Sequence, residues 1–240
     1  MEDREERAGQ GGGARRKLAL SPAMEDYLRA IWDLGGGAEG EPVATTHLAR
    51  RMDVAPASVT GMIKRLAGLG LVLHERYAGA RLSPLGERVA LEVIRHHRII
   101  ETYLAEALGV GWDEVHDEAH RLEHHISDAL GERMAEALGH PERDPHGAPI
   151  PPSRGPFVPT EYLCLSAAQP GDHLVVREVV DEDGAVLRQL DGLGLRPDVE
   201  LRVVAVDPGG AQLRIDIDGR ERHVTAELAA AVSVAAFPGS

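Results

Sequence analysis

THLARRMDVAPASVTGMIKRL, from Thr46 to Leu66, reads as two short amphipathic helices joined by a tight turn. Thr46 to Met52 is the first helix, Asp53-Val54-Ala55 the turn, and Pro56 to Leu66 the second helix. In the second helix Val59, Met62, Ile63 and Leu66 recur at helical spacing and point inward. Pro56 suits a first helical turn, where its missing N–H is not needed. The other face carries Ala57, Ser58, Thr60 and Gly61, small residues that let a helix approach base edges in a major groove. Lys64 and Arg65 lie further along and suit phosphates, and Arg50 is a further basic candidate. Leu69 to Tyr77 and Ala80 to Pro84 read as two short strands around a turn at Gly79. They form a wing carrying Arg76 and Arg81, and Leu85-Gly86-Glu87-Arg88 then opens another helix. A winged helix used only for protein contacts is the competing reading.

Charge bears on that choice. The chain of 240 residues carries a formal charge of −13, which by itself argues against a nucleic-acid partner. The charges are segregated, however. From Ala44 to Arg98 nine basic residues face four acids, so this segment is +5 and the remainder −18. The basic charge thus concentrates where the helix-turn-helix lies.

Outward from the motif, residues 1–20 are rich in Gly, Arg and Glu without periodicity and are expected to be a disordered tail. Met24 to Leu34 places Tyr27, Leu28, Ile31 and Leu34 on one helical face, with Ser21-Pro22 as a start and Gly35-Gly36-Gly37 as a stop. Helical patterning continues to about His140, and a proline-dense span from Pro141 to Pro159 then reads as a linker. Beyond it the period changes to two, in Glu200 to Val206 and Gln212 to Ile217, with turn signals at Asp207-Pro208-Gly209-Gly210 and Asp218-Gly219. A small all-β module of roughly 75 residues, a partly open barrel, is expected there. Hydrophobic residues make up 43% of the chain but aromatics only 3%, so aliphatic side chains must carry the core. Cys164 is the only cysteine, which excludes an intrachain disulfide and a cysteine-based zinc cage. No apolar run reaches transmembrane length and none resembles a signal peptide, so a cytoplasmic location is expected.

The chemical signal is His116-Asp117-Glu118-Ala119-His120-Arg121-Leu122-Glu123-His124-His125. His116, His120 and His124 are spaced i, i+4, i+8, and Glu123 is i+3 from His120, so on one continuous helix the four share a stripe. His97 and Glu101 form a second i, i+4 pair, and Asp26 on the first helix is a carboxylate from elsewhere. Imidazole with carboxylate suits Mn, Fe, Zn, Co or Ni. A solvated polar face is the bland alternative, and this many ligand-type groups at helical spacing weigh against it.

These stretches carry a resemblance. Ser21 to Leu28, the helix-turn-helix, Arg95-His96-His97-Arg98-Ile99-Ile100-Glu101, and His116 to Ser127 resemble the diphtheria toxin repressor family, and most of all its manganese transport regulator branch. Asp144-Pro145-His146-Gly147-Ala148-Pro149-Ile150-Pro151 is similar to that family's end-of-domain motif. The resemblance is strong over Ser21 to Pro152 and weaker over the C-terminal module. It implies a mainly α fold with a small β module. Residues 21–90 would be the winged helix-turn-helix, 91–150 a helical dimerisation and metal-sensing domain, 151–163 a linker, and 164–240 an SH3-like barrel.

The resemblance also implies two metal sites. Asp26, His120, Glu123 and His124 would form the primary one. His97, Glu101 and His116 would form the ancillary one, with Glu182 or Asp183 adding a carboxylate from the SH3-like domain. Iron-sensing members carry Met and Cys where this chain has Asp26 and His120, and many manganese sensors carry Asp and Glu. The hard oxygen of Asp26 favours Mn(II), while His120 pulls back toward Fe(II), Zn(II) or Co(II). The implied protein is a homodimer that binds a near-palindromic operator when Mn(II)-loaded and represses metal uptake. Leu104, Leu108, Ile126 and Leu130 suit a dimer face and suit a monomer core equally well. An Fe(II) repressor, a dinuclear metallohydrolase and an interaction module with a structural metal are the competing readings.

Overall fold

The computed structural model describes residues 20–37, 39–75, 78–180 and 183–238. The expected tail up to residue 19, and the candidate residues Arg76 and Glu182, lie outside the described residues. The chain forms two compact units. The first comprises the residues up to His96 with Glu123–Leu130, and the second His97–Leu122 with the residues from Gly131 onward.

The first unit opens with α1 (Pro22–Gly35), started by a proline in its first turn and stopped at Gly36, whose φ of 80° no helix continues. Tyr27, Leu28 and Ile31 are buried as expected, together with Met24 and Trp32. Leu34 is not: it is 45% exposed, in the last turn beside the glycine-rich end. The helix-turn-helix is α2 (Thr45–Arg51) and α3 (Pro56–Gly68), with Val59, Ile63 and Leu66 buried. The wing is an antiparallel pair, β1 (Val72–Glu75) and β2 (Gly79–Leu82). Gly79 opens β2 instead of forming the turn's tip. A Cβ there would lie 2.1 Å from the Val43 carbonyl oxygen, where the strand pairs with Val43. Ser83 then caps the next helix, its Oγ accepting the Gly86 N–H at 3.0 Å and donating to the Gly70 carbonyl.

That helix, α4 (Pro84–Leu108), runs on into the second unit, followed by α5 (Val115–Leu122) and α6 (Asp128–Ala137). The continuous helical stripe expected through His124 is broken. α5 stops at Leu122, and Glu123, His124 and His125 form a turn. Ser127 starts the next helix by accepting the Leu130 N–H, and Glu123 and His124 are held by residues of α1 instead of by their own helix. Leu104 is core at 8% exposure, whereas Leu108 and Leu130 are exposed.

The first half of the proline-dense span is not a flexible tether. Asp144 Oδ1 accepts the backbone N–H groups of His146 and Ala148 at 2.8 and 3.0 Å, which locks the loop. Its far side meets the C-terminal module. The Trp112 indole donates to the Pro145 carbonyl, the Val179 N–H donates to that of His146, and Arg143 donates to the carbonyls of Gly147 and Arg177.

The module is a six-stranded antiparallel sheet in the order β3-β8-β4-β5-β6-β7. Its strands are β3 (Leu163–Cys164), β4 (His173–Val179), β5 (Glu200–Val206), β6 (Gln212–Ile217), β7 (Arg220–Thr225) and β8 (Val232–Ala236). Irregularities near Val176 and Val203 bend it, and Asp218-Gly219 makes the two-residue turn with both φ positive that a tight hairpin needs. The module is not all-β. α7 (Gly184–Gly192) and the short α8 (Ala226–Ala230) pack Leu187, Leu190 and Ala229 into the same core, which Trp112 also enters.

Gly147 is the tightest point of this contact. Its φ is +91°, and a Cβ would sit 2.1 Å from the Arg177 carbonyl oxygen. Gly147→Ala is therefore expected to cost about 2–3 kcal/mol of stability, from strain and the forced shift of β4. Calorimetric unfolding would read it, and a loss below ~0.5 kcal/mol would contradict the account.

Candidate metal centres and DNA-reading face

In the first unit the start of α1 and the 123–124 turn bring four acidic or imidazole side chains together. His124 Nε2 lies 2.9 Å from Asp26 Oδ1 and 3.3 Å from Glu123 Oε1. Asp26, Glu123 and His124 each offer a ligand atom within 4.8 Å of the others. His124 Nδ1 is 2.7 Å from Glu25 Oε2. Glu25 was not singled out from the sequence; the signal was a glutamate beside Asp26 in a first turn that must face inward. Its carboxylate accepts a hydrogen bond from Nδ1–H, which would leave Nε2 as the ligand nitrogen, the usual arrangement behind a metal-bound histidine.

Two observations say that a cation fits here. Glu123 is fully buried and turns its Oε1 to within 3.3 Å of His124 Nε2, beside Asp26. Asp26 Oδ1 is buried and makes no hydrogen bond among the described residues. Burial works against a charged His124, and the carboxylates of Asp26 and Glu25, with Glu123, outweigh it, pushing the imidazole from the usual 6.5 up to about 9. His120, the remaining expected primary ligand, is exposed near the end of α5 in the second unit.

The ancillary candidates meet inside the second unit. Glu101 Oε1 is 2.9 Å from His97 Nε2 and 3.1 Å from His116 Nδ1, and those two nitrogens are 3.1 Å apart. Burial alone would raise the Glu101 carboxyl, but the imidazoles of His97 and His116 hold it well below the usual range. A carboxylate with two imidazoles, mostly buried, is a set that binds a divalent ion once its protons leave. Asp183, offered as an added ligand, uses Oδ1 to accept the Ala185 N–H and so caps α7.

On the reading face, Pro56, Ala57, Ser58, Thr60, Gly61, Lys64, Arg65 and Arg50 are all exposed. Thr60 Oγ1 donates to the Pro56 carbonyl, so its hydroxyl is partly committed within the helix. Arg81 pairs with Glu75 across the wing at 2.8 Å, and a phosphate contact would have to open that pair.

Residues 19–80 match the family described as iron dependent repressor, N-terminal DNA binding domain, and 83–152 its metal binding and dimerisation domain. Residues 163–236 match the FeoA domain. The iron-dependent repressor IdeR of Mycobacterium tuberculosis is 32% identical over 233 residues, covering 90% of this chain and 97% of that protein. The diphtheria toxin repressor of Corynebacterium jeikeium is 28% identical over 238 residues, covering 90% of this chain and 97% of that protein. Among solved structures, a manganese-dependent transcriptional repressor in complex with manganese is 36% identical at a TM-score of 0.82, covering 89% of this chain and all of that one. ScaR with bound zinc is 29% identical at 0.77, covering 89% of this chain and 99% of that one.

Three predictions follow from the His124 geometry. Below pH 9 a metal must displace a proton from Nε2, so affinity should rise about tenfold per pH unit between pH 6.5 and 8.5. Calorimetric titration in buffers of different ionisation enthalpy should show one proton released, and none released would refute it. In the metal-free protein the raised value means His124 stabilises the fold fully below pH 6.5, and that contribution is lost as pH rises through 9. Glu25→Gln should weaken metal affinity about 10–100-fold while the fold persists. Unchanged affinity would remove Glu25 from the site.

Proposed function

The chain belongs to the diphtheria toxin repressor family of metal-dependent transcriptional repressors, and on that footing we propose that its effector is Mn(II). It is a regulator and not an enzyme. The observation that carries the manganese reading is the donor set of the first unit: two hard carboxylates, Asp26 and Glu123, with the imidazole of His124 and no sulfur. His120, three residues before Glu123 in the chain, is the fourth ligand we assign to this primary site. His97, Glu101 and His116 form the ancillary site, with Glu182 or Asp183 as its candidate addition from the C-terminal module. The similarity to a manganese-dependent repressor supports this choice, and the similarity to the mycobacterial iron-dependent repressor keeps Fe(II) as the second reading.

The mechanism rests on where the ligands stand. Asp26 is on the helix that precedes the DNA-reading pair α2–α3, whereas Glu123 and His124 come from a segment far along the chain that folds into the same unit. A divalent cation held there would add positive charge where two carboxylates are drawn together. Asp26, Glu123 and His124 then hold α1 against the 123–130 segment. If these residues hold the ion more tightly in the DNA-competent form, its binding would shift the population toward that form. In a homodimer, two α3 helices would read half-sites of a near-palindromic operator, one helical turn or a multiple apart. Lys64, Arg65 and Arg50 would anchor on phosphates, and the exposed Leu108, Leu130 and half-buried Ile126 are the apolar side chains we assign to the dimer face. The regulated genes would be those of metal uptake, and the site of action the cytoplasm. No helix among the described residues is long and apolar enough to cross a membrane.

Fluorescence anisotropy of metal-free protein titrated onto its own upstream promoter DNA tests the reading. Binding should appear with Mn(II) and be absent without metal. Activation by Fe(II) alone at comparable free concentration would transfer the assignment to iron, and metal-independent binding would reduce the site to a structural one. Asp26→Ala should abolish the Mn(II) response while circular dichroism stays unchanged. A retained response in that variant would refute the primary-site assignment.

A further inference from the structure

Arg29 stands about one turn beyond Asp26 on α1, on the face that meets the 123–124 turn. Its Nη1 lies 3.5 Å from Glu123 Oε2, and its Nε lies 3.8 Å from Asp33 Oδ2 on the same helix. The Glu123 carboxylate is thus divided between two neighbours. Oε1 is 3.3 Å from His124 Nε2, whereas Oε2 faces the guanidinium. The arginine side chain is 17% exposed and the glutamate side chain not at all, so salt and water screen this pair weakly. We propose that Arg29 sets the metal affinity of the first-unit site, as a fixed positive charge held against a ligand carboxylate. The proposal rests on the reading of Asp26, Glu123 and His124 as a metal site.

Two effects act in the same direction. Without metal, the guanidinium offsets part of the cost of burying Glu123 and so stabilises the empty form. With metal, the same charge stays beside Glu123 and repels the ion that this carboxylate holds. Both effects lower the affinity. A guanidinium stays charged at any pH the protein meets, so the setting does not drift with pH as an imidazole's would. A site tuned in this way stays empty until free metal passes a threshold, which is what a metal-dependent repressor has to report. Asp33 tempers the arginine from its other side, where its own side chain is 32% exposed. α1 therefore carries a ligand, a charge that weakens the ligand set, and an acid that moderates that charge, at successive turns of one helix.

The test measures Mn(II) affinity by equilibrium dialysis for the full chain and its Arg29→Gln, Arg29→Lys, Asp33→Asn and Asp26→Ala variants. The binding that Asp26→Ala removes is that of the first-unit site. Arg29→Gln should bind there about tenfold more tightly, as a neighbouring charge moves a proton affinity by that much or more. Its metal-free form should also melt at a lower temperature than wild type. Arg29→Lys keeps the charge and should stay within about threefold of wild type. Unchanged or weaker binding in Arg29→Gln overturns the proposal, and weaker binding would make the arginine only an aiming group for Glu123. Tighter binding in both arginine variants also overturns it, because charge is then not the cause. Asp33→Asn reads the effect with opposite sign in a chain that keeps its buried pair, and should bind about two- to threefold more weakly. Unchanged binding there overturns the proposal even if Arg29→Gln folds poorly. If wild type and Asp26→Ala bind alike, the primary-site reading itself fails, a result separate from all of these.

Discussion

Carboxylates gathered in buried positions are the constraint on which this structure turns. Taking an ionised carboxylate out of water costs several kcal/mol unless charge or hydrogen bonds compensate. Glu123 is fully buried, with Arg29 Nη1 3.5 Å and His124 Nε2 3.3 Å from its carboxylate, and Asp26 Oδ1 is buried with no hydrogen bond among the described residues. The metal-free first unit meets part of that cost with a proton on His124, which burial opposes and the carboxylates of Asp26, Glu25 and Glu123 favour. A doubly charged cation meets it better, and it does so at the junction of α1 with the 123–124 turn. Two distant stretches of chain thus meet at one cluster of buried carboxylate and imidazole groups.

The second unit answers the same problem with more protein. Glu101 is balanced by two imidazoles, and burial with the nearby Glu101 charge raises Asp144, which Arg98 and two backbone N–H groups oppose. The loop that carries Asp144 and His146 is also the one that grips β4 and Trp112. The ancillary histidines and the C-terminal sheet therefore belong to one compact body. Any rearrangement around Glu101 is felt within a few bonds by the strand at Arg177.

Local patterns carried much of this to the surface of the sequence. Pro56 and the Val59, Ile63, Leu66 spacing gave the reading helix, and Asp218-Gly219 gave a hairpin, because each depends on its own few residues. What depended on distant partners was harder to read. Helical spacing placed His116, His120 and His124 on one stripe, whereas α5 ends at Leu122 because contacts to α1 pull Glu123 and His124 aside. Spacing alone would have grouped His116 with His120 and His124, whereas the fold sets it beside His97 and Glu101. Glu25 was hidden because a charged residue in a first turn usually faces water. α7 was hidden by the period-two runs around it, although Asp183 is an ordinary helix cap. The prolines after His140 suggested a tether, and only the Asx-type bonds of Asp144 show why the first of them are fixed.

The scarcity of aromatic residues has an optical consequence. The chain has two tryptophans, and each unit buries one. Trp32 sits on α1, a turn and a half beyond Asp26. Trp112 donates its indole N–H to Pro145 and lies 5.0 Å beneath the Arg196 guanidinium. The two indoles have such different surroundings that their emission should separate in wavelength and lifetime. The protein thus carries an intrinsic two-channel fluorophore, one channel per unit, with no label to be added. A paramagnetic ion arriving in either unit would dim its own channel first, so the order of filling is written in the light the protein already emits.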